Sequence, residues 1–319
     1  MISYIVIGRN EGFKLEKCFK SIEKSIKENA YLESEVIYVD SKSDDNSLAI
    51  AQKFSFVKVY KLNADYNAPI ARNLGATKAN GDIFFFIDGD MEIESSFLKN
   101  IINQNSELSY GFVGGYYINK YYDKDWSYLS SSQYPPKRKL KFDYLEASTG
   151  GLFVISRKYW EMAGGMKNYL YGGADPDLAY RLHKKGILKL RKTELMGIHH
   201  TITPEYRMEM KDIFKKRYLR GRILLYRENL LCPAAFKKMV RYEYTSFFLL
   251  ILIILSFLFN HLFVLIALAV YMLGIIFKTR KRGGIMRNFT ILLAKDVVFL
   301  FGLIFYWPNK KVKVKFDSL

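Results

Sequence analysis

The chain has 319 residues, of which 50% are hydrophobic, and a formal net charge of +18 at pH 7. This length suits one catalytic domain with an appendage, and two cysteines far apart in sequence exclude a disulfide framework or a cysteine-rich metal site. Residues 206–319 hold 21 Lys and Arg against 6 Asp and Glu, whereas residues 1–205 hold 28 against 25. The basic excess of the C-terminal part is typical of a chain that meets nucleic acid or an anionic membrane.

The first ninety residues alternate between apolar strand patterns and helical patterns. The opening segment, "MISYIVIGRN", has no basic region ahead of an apolar one, so we expect a strand there and no signal peptide. Strands are predicted at residues 4–7, 36–39, 57–60 and 81–87, and helices at 15–26, 47–54 and 68–79. This alternation predicts an α/β fold with a mainly parallel, doubly wound sheet.

The fourth strand runs into two carboxylates in the stretch "GDIFFFIDGDMEI". Asp88 and Asp90 follow the strand end, where open α/β sheets bind their ligands. Two carboxylates aimed at one point repel each other unless a cation lies between them, and hard oxygen ligands suit Mg²⁺ or Mn²⁺. A polar turn with Asp88 as a helix cap is the alternative.

The region after the fourth strand is less regular. Residues 111–117 are predicted to form a strand, and the aromatic, basic residues 121–141 a loop. The segments "STGGLFVIS" and "GGADPDLAYRL" follow, the second a Gly-rich loop that opens a helix near Asp177. The pair His199-His200 comes after a short strand and closes the globular part, so residues 1–205 are predicted to form one domain.

The remaining residues are predicted to be membrane-associated. Residues 206–243 are a basic juxtamembrane segment, and residues 246–277 contain no Lys, Arg, Asp or Glu. Basic residues flank this apolar run on both sides, which favours a hairpin that turns at Asn260, with one long tilted helix or a buried soluble helix pair as alternatives. Residues 289–307, interrupted by Lys295-Asp296, are expected to lie in the interface or to re-enter, which completes a membrane-associated region over 244–319.

The ordered set of motifs resembles the family 2 glycosyltransferases, which have the GT-A fold. The resemblance covers Ile2 to about Thr201 and rests on these blocks: "YIVIGRNEG", "VIYVDSKSDDNS", "ARNLG", "FFFIDGDMEI", "STGGLFVISRKYWEMAGGM", "GGADPDLAYRL" and "HH". It implies transfer of a sugar, with inversion, from a nucleotide-diphosphate sugar to an acceptor.

The resemblance also implies roles for the residues that bind the donor. The predicted nucleotide-sugar site is Gly8, Glu11, Asp40, Asp44, Arg72, Asp88, Gly150 and Gly151. In the family, the position of Asp40 contacts uracil, Glu11 resembles its companion at the ribose, and Gly150-Gly151 lie in a segment that contacts the donor sugar. Arg72 could pair with the diphosphate or form only a surface salt bridge, and Asp44 could instead cap the following helix.

Resemblance further predicts a metal site and a general base. Asp90 and Asp88 would hold Mn²⁺ or Mg²⁺, completed by His199 or His200, although either histidine could simply be packed. The family's base is the Asp of a Glu-Asp pair that opens a helix, and here the pair reads Ala174-Asp175. We therefore predict Asp175 as the base and Asp177 as the second candidate, with helix capping as the alternative for both.

These features predict a membrane-bound inverting glycosyltransferase on the cytoplasmic side of a bacterial inner membrane. Its donor is expected to be a UDP-sugar and its acceptor a lipid-linked saccharide used in surface glycan synthesis. A polyprenyl-phosphate glycosyltransferase is the enzymatic alternative, and a basic module that tethers to membranes or binds nucleic acid is the non-enzymatic one. The long apolar run favours a membrane partner, and no nucleic acid is expected.

Overall fold

The computed structural model describes residues 1–202, 210–215, 218–258, 261–279 and 285–319. The chain forms two compact units. The first comprises Met1–Tyr169, Ala174–Glu205 and Lys311–Leu319, and the second comprises Leu170–Gly173 and Tyr206–Lys310.

The first unit is built on one large sheet. Its strands are β1 Ile2–Gly8, β2 Ser34–Asp40, β3 Val57–Leu62, β4 Ile83–Asp88, β5 Met91–Ile93, β6 Phe112–Tyr122, β7 Tyr128–Tyr134, β8 Tyr144–Glu146, β9 Phe153–Ser156, β10 Lys189–Ile202 and β11 Phe316–Ser318. Its helices are α1 Phe13–Glu28, α2 Ser47–Ala51, α3 Ala68–Lys78, α4 Arg157–Ala163 and α5 Ala174–His183, with 3-10 turns at Ser95–Asn100 and Lys137–Lys139.

The sheet has the order β11-β3-β2-β1-β4-β9-β6-β10-β5, with β7 beside β6 and β8 beside β10. Strands β3, β2, β1 and β4 are parallel, as the alternating pattern predicts. Beyond β4 the sheet is mixed, because β9 is antiparallel to β4 and to β6 while β10 runs parallel to β6. The predicted α/β fold is confirmed, with a mixed half that the sequence pattern does not reveal.

Two strands form in stretches for which the sequence predicts a loop or a membrane-associated segment. Strand β7 lies inside residues 121–141, so the loop prediction is wrong there: β7 pairs with β6 as an antiparallel hairpin. Its sequence, "YLSSSQY", is almost entirely exposed and lacks the alternation of apolar and polar residues that marks a half-buried strand. Strand β11 comes from the stretch assigned to the membrane region, but it pairs antiparallel with β3 in the first unit.

The second unit is helical. It contains α6 Met210–Ile213, a π-helical turn Leu219–Ile223, α7 Leu224–Glu228, α8 Pro233–Leu258, α9 His261–Thr279 and α10 Ile285–Phe305. Within the described residues, α8 is the one helix long and apolar enough to cross a membrane, with 26 residues and a mean hydropathy of 1.6. It bends at Glu243, whose backbone dihedrals are not helical.

Helices α8 and α9 pack against each other and run in opposite directions. The Tyr244 hydroxyl, in the first half of α8, donates to the Gly274 carbonyl oxygen near the end of α9 at 3.2 Å. The predicted turn residue Asn260 lies outside the described residues. The antiparallel packing is the arrangement that a hairpin requires.

Helix α10 is continuous through Lys295 and Asp296, and both side chains are buried. Asp296 accepts hydrogen bonds from Thr245 and Ser246 at 3.1 and 2.7 Å, and Lys295 lies 2.7 Å from Glu243. The expectation of an interfacial or re-entrant segment rested on the four lysines at positions 310, 311, 313 and 315 and on these two charges. Inside the helical unit they are paired, so they do not by themselves force the helix toward water.

Candidate active site

The carboxyl ends of β1, β2 and β4 bring the predicted donor-binding residues to one edge of the sheet. Gly8 is paired with Asp40, and Ile7 is paired with Asp88, so the loops that follow these strands start at the same level. Ligands of open α/β sheets bind at this edge. The structure thus gathers the residues predicted from three separate motifs.

Arg72 joins two of the predicted acidic residues. Its guanidinium lies 2.6 Å from Asp88 Oδ1 and 2.8 Å from Asp175 Oδ1, and its side chain is only 2% exposed. The interpretation of Arg72 as a surface salt bridge is therefore wrong. The arginine fixes the predicted base beside the strand that carries the Asp-x-Asp motif.

Asp88 lies in a crowded, negatively charged environment. Loss of solvent around its carboxyl group raises the pKa of Asp88, and the charges of Asp90 and Asp175 raise it further against the opposing effect of Arg72. A Cβ atom on Gly151 would fall 1.9 Å from Asp88 Oδ2, whereas one on Gly150 would meet nothing within 4 Å. Gly151 is thus needed for the close approach of backbone to Asp88.

Asp90 and His199 form a pair at the same edge. His199 Nε2 lies 3.2 Å from Asp90 Oδ2, and His199 Nδ1 lies 2.9 Å from Asn119 Oδ1. Because an amide oxygen and a carboxylate oxygen only accept, Nδ1 donates to Asn119, and Nε2 donates to Asp90 when the imidazole is protonated; without that proton the Nε2 lone pair can bind a cation. Burial lowers the pKa of His199, but the hydrogen bond and charge of Asp90 outweigh it, so the net pKa is raised.

His200 faces the opposite side of β10. It is buried, its Nε2 pairs with Glu92, and its Nδ1 shares a 2.8 Å hydrogen bond with the Tyr122 hydroxyl. The hydrogen bond to His200 lowers the pKa of Glu92. Of the two predicted histidines, only His199 brings its side chain to the Asp90 carboxylate, whereas the His200 backbone amide donates to the Asp90 carbonyl oxygen at 2.9 Å.

The residues present fit a divalent cation. Asp90 Oδ1 is buried and has no hydrogen-bond partner among the described residues, which leaves a hard oxygen ligand available next to His199. Within the part of the chain that the structure describes, no three His, Cys, Asp or Glu side chains converge as a complete metal site. Asp90 and His199 would therefore hold the ion together with water or the donor's phosphate oxygens.

The two residues predicted to contact the nucleoside already have partners within the protein. Asp40 is buried, and its carboxylate accepts from the Ser43 amide at 2.8 Å and the Tyr38 hydroxyl at 3.2 Å. Glu11 is paired with Lys14 at 2.5 Å, yet burial and the charge of Asp90 raise the pKa of Glu11. A nucleoside that binds at Asp40 would hydrogen-bond to the carboxylate lone pairs that Ser43 and Tyr38 do not occupy.

The loop after β2 is tied to the loop after β1. The Asp44 amide donates to Asn10 Oδ1 at 3.0 Å, and the Ser47 hydroxyl accepts from the amides of Glu11 and Gly12. Asp45, rather than Asp44, accepts from the Ser47 amide at the start of α2. The carboxylate of Asp44 is therefore not the cap of that helix.

The two candidates for the base differ in their surroundings. Asp175 is 29% exposed and keeps one carboxylate oxygen outside the bond to Arg72. Asp177 is fully buried, and its two oxygens pair with Lys167 and Arg181 at 2.9 and 2.7 Å. These ion pairs hold Asp177 in the core, so the geometry does not favour it as the second candidate.

Sequence reasoning missed two asparagines that organise the site. Asn119 orients His199, as described above. Asn73 donates to the Met166 carbonyl oxygen and the Asn168 side chain and accepts from the Met166 amide, which fastens α3 to the loop before α5. The Asn of "ARNLG" was a visible signal for the second, but an isolated Asn within the aromatic strand "YYINKYY" gave none for the first.

The α/β sheet carries a cluster of acidic side chains at its ligand-binding edge, and the sequence assigns the family. Residues 3–162 match the family described as "Glycosyl transferase family 2". The chain belongs to the family 2 glycosyltransferases. It is thus an enzyme, as predicted, and not a non-enzymatic tether.

Two curated proteins resemble the chain over part of its length. The "Cholesterol galactosyltransferase" of Borreliella burgdorferi is 28% identical over 182 residues, which cover 54% of this chain and 45% of that protein. "Glycosyltransferase GlyG" of Streptococcus pneumoniae is 29% identical over 123 residues, which cover 37% of this chain and 40% of that protein. The chain spans less than half the length of either relative.

Solved structures show a similar fold at low identity. GalNAc-T7 with UDP, GalNAc and Mn²⁺ matches with a TM-score of 0.47 and 18% identity, over 66% of this chain and 44% of that chain. TarS 1-349 of S. aureus matches with a TM-score of 0.48 and 16% identity, over 62% and 60%. At these identities the likeness concerns the fold alone.

Proposed function

We propose that this glycosyltransferase uses a UDP-sugar and a divalent cation, Mn²⁺ or Mg²⁺, to glycosylate a lipid-linked saccharide by inversion. The observation that carries the proposal is the arrangement around Arg72, which joins Asp88 to Asp175 beside the Asp90–His199 pair. The leaving diphosphate needs positive charge to neutralise it, whereas the attacking hydroxyl needs a base that accepts its proton. We assign the first role to the Asp90–His199 side of this cluster and the second to Asp175.

Asp175 is the proposed base. Its free carboxylate oxygen takes the proton of the acceptor hydroxyl while the acceptor oxygen bonds to the anomeric carbon and the bond from that carbon to the diphosphate breaks. The electron pair of the broken bond stays with the diphosphate. Arg72 holds the carboxylate in place from its buried side, and Ala174 supplies no second carboxylate.

Asp90 and His199 are the proposed ligands of the cation, which when bound would neutralise charge on the diphosphate. His199 is held for this purpose by Asn119, which leaves Nε2 directed at the site. Glu11, Asp40 and Asp44 are the proposed contacts of the nucleoside. Gly8, Gly150 and Gly151 would keep the backbone close to the donor.

The proposed location is the cytoplasmic side of a bacterial inner membrane. Helix α8 can span a bilayer by length and hydropathy, and α9 packs against it in the opposite direction. Phe257 on α8, Leu273 on α9 and Phe305 on α10 are among the large apolar side chains that are exposed, and lipid would cover them. The relative named cholesterol galactosyltransferase supports a lipid as part of the acceptor.

The test is a donor screen followed by substitution of the base. Purified full-length protein in detergent is incubated with Mn²⁺ and a panel of nucleotide sugars, and nucleotide release is measured. Asp175→Asn should lower turnover by about two to four powers of ten, the usual range for general base catalysis, and leave donor affinity almost unchanged. Asp177→Asn is the matched acidic control and should lower turnover less.

The outcomes distinguish the proposed function from the alternative of a polyprenyl-phosphate glycosyltransferase. Near-normal turnover of Asp175→Asn with the natural acceptor would show that the base assignment is wrong. The alternative of a polyprenyl-phosphate glycosyltransferase would then gain support, because a phosphate acceptor is already ionised and needs no base. Release of no nucleotide from any donor would contradict the proposed function itself.

A further inference from the structure

The hairpin of β6 and β7 extends the sheet outward from His199. Asn119 is paired with His199 on β10 and with Ser132 on β7, so the three strands are in register at the metal-side residues. Side chains on a strand alternate between faces. The residues that share a face with His199 can therefore be identified from this register.

The contacts confirm which side chains share that face. The Tyr117 ring lies 6.3 Å from the His199 ring and 5.3 Å from the Tyr134 ring, and the hydroxyls of Tyr121 and Ser132 share a 3.0 Å hydrogen bond. We call this surface the hairpin platform; its members are Tyr117, Asn119, Tyr121, Ser130, Ser132 and Tyr134.

The other face of the same hairpin carries different contacts. The pairing of β6 with β7 shifts between Tyr121 and Tyr122, and beyond the shift Tyr122 is opposite Tyr128. The Tyr122 ring packs 5.7 Å from His200 and 6.1 Å from Tyr128, on the side away from His199. Tyr128 and Tyr134 thus belong to one strand but to opposite faces.

The composition of the hairpin platform indicates its ligand. All six side chains are uncharged. Five of them bear hydroxyls that can both donate and accept, three of these five also offer aromatic faces, and Asn119 adds an amide; Ser130, Ser132 and Tyr134 are exposed. A phosphate would need cations, and a sterol or isoprenoid would need an apolar surface without hydroxyls. A neutral sugar ring offers hydroxyls at its rim and C–H groups on its faces, which pack on the electron-rich face of an aromatic ring.

The platform is continuous with the site of transfer. The Tyr117 ring contacts both the ring of His199, the proposed cation ligand, and the ring of the exposed Tyr134. Tyr117 therefore links the donor edge to the exposed part of the hairpin. A saccharide seated on the platform would thus lie beside the Asp90–His199 pair.

We infer that the hairpin platform binds the neutral saccharide end of the acceptor. This inference rests on the proposed function, since it assigns the acceptor of the same active site. Tyr134 stacks on a sugar ring, and Ser130, Ser132 and Tyr121 hydrogen-bond to its hydroxyls. The platform thereby selects acceptors by their carbohydrate rather than by their lipid.

The experiment compares acceptors with the donor that the screen identifies. Full-length protein in detergent is given that donor, Mn²⁺ and either neutral octyl hexopyranosides, octyl phosphate or cholesterol, and nucleotide release is measured. We expect stimulation by one or more octyl hexopyranosides. Tyr134→Ala should raise the KM for the glycoside about five- to tenfold, the range expected for loss of an aromatic stack, with an unchanged KM for the donor.

Matched variants separate recognition from folding. Tyr128→Ala removes an equally exposed tyrosine from the opposite face and should leave both KM values unchanged; the exposed fractions are 58% for Tyr128 and 46% for Tyr134. Tyr134→Phe should keep the acceptor KM within about twofold, because the ring remains. Ser132→Val should raise the acceptor KM without altering the fold. This variant provides an independent measurement if Tyr134→Ala fails to fold.

Several results would overturn the inference. Stimulation by octyl phosphate or cholesterol, but by no hexopyranoside, would place recognition in the lipid part of the acceptor. Equal effects of Tyr128→Ala and Tyr134→Ala would remove the platform as the determinant. In either case donor-dependent nucleotide release would still occur, so the glycosyltransferase activity would stand. The first result would also replace the saccharide acceptor of the proposed function, whereas the second would remove only the platform assignment.

Discussion

Replacement of Gly151 by alanine tests how closely the backbone must approach Asp88. A Cβ atom at this position would lie 1.9 Å from Asp88 Oδ2 and 2.6 Å from its Cγ. The carboxylate would have to move by about 1.1 Å to reach the 3.0 Å below which real Cβ contacts essentially never occur. Since Asp88 is bonded to Arg72 at 2.6 Å, that movement would also disturb the ion pairs that hold Asp175.

We expect Gly151→Ala to lower the rate of sugar transfer. A misplacement of about 1 Å in a catalytic site can lower the rate by about 10²-fold, so Gly151→Ala should lose activity on that scale. Gly150→Ala is the comparison, because its Cβ would meet nothing within 4 Å in the protein, so Asp88 keeps its position and any loss of activity comes from the donor contact that we propose for this segment. Nucleotide release is measured for both, with circular dichroism as the check on folding.

One result would refute the reasoning. If Gly151→Ala folds and turns over like Gly150→Ala, Asp88 tolerates displacement, and its position beside Arg72 is not needed for transfer. Loss of activity in both variants would instead indicate the donor contact that we propose for this segment.

The other predictions concern the cation, the membrane and a buried lysine. Asp90→Asn should abolish Mn²⁺-dependent binding of donor, measured by calorimetry, with the fold intact; full activity of the wild type in EDTA would contradict it. Cysteines placed at Lys238 and Arg282 should both resist labelling from outside spheroplasts, whereas labelling at position 282 alone would indicate a single crossing; Arg282 lies outside the described residues. Burial and the charge of Arg191 lower the pKa of Lys189 to about 7, so above pH 7 the unfolded chain, with an ordinary lysine, binds more protons than the folded one. The thermal unfolding temperature of the wild type should therefore rise relative to that of Lys189→Met between pH 7 and pH 9. A difference between the two proteins that stays constant across this range would show that the pKa of Lys189 is not lowered.

The N-terminal half of the sheet could be predicted from sequence because its signals are local. The predicted strand at residues 4–7 lies within β1, and the Asp-x-Asp motif ends β4 as the apolar run indicates. Strand β7 could not be predicted, because an exposed, Ser-rich strand owes its conformation to its neighbour β6 rather than to its own residues.

The candidate site could be predicted as a set of residues but not as a set of contacts. The bridge from Arg72 to Asp88 and Asp175 joins residues 16 and 103 positions apart, and no local pattern encodes such distances. The choice between His199 and His200 depends on which face of β10 meets Asp90, and a shift of one residue would reverse it. The burial of Asp177 likewise follows from partners on other elements.

Strand β11 has a consequence for the order in which the sheet forms during synthesis. Its residues 316–318 pair with β3 at residues 60–62, so about 250 residues separate the two partners along the chain. During synthesis the ribosome releases the helices before it releases β11, and the outer edge of β3 therefore stays unpaired after the rest of the parallel sheet can form. A ribosome stalled after α10, or a protease that removes the last ten residues, would leave a chain with all the proposed active-site residues and an open sheet edge.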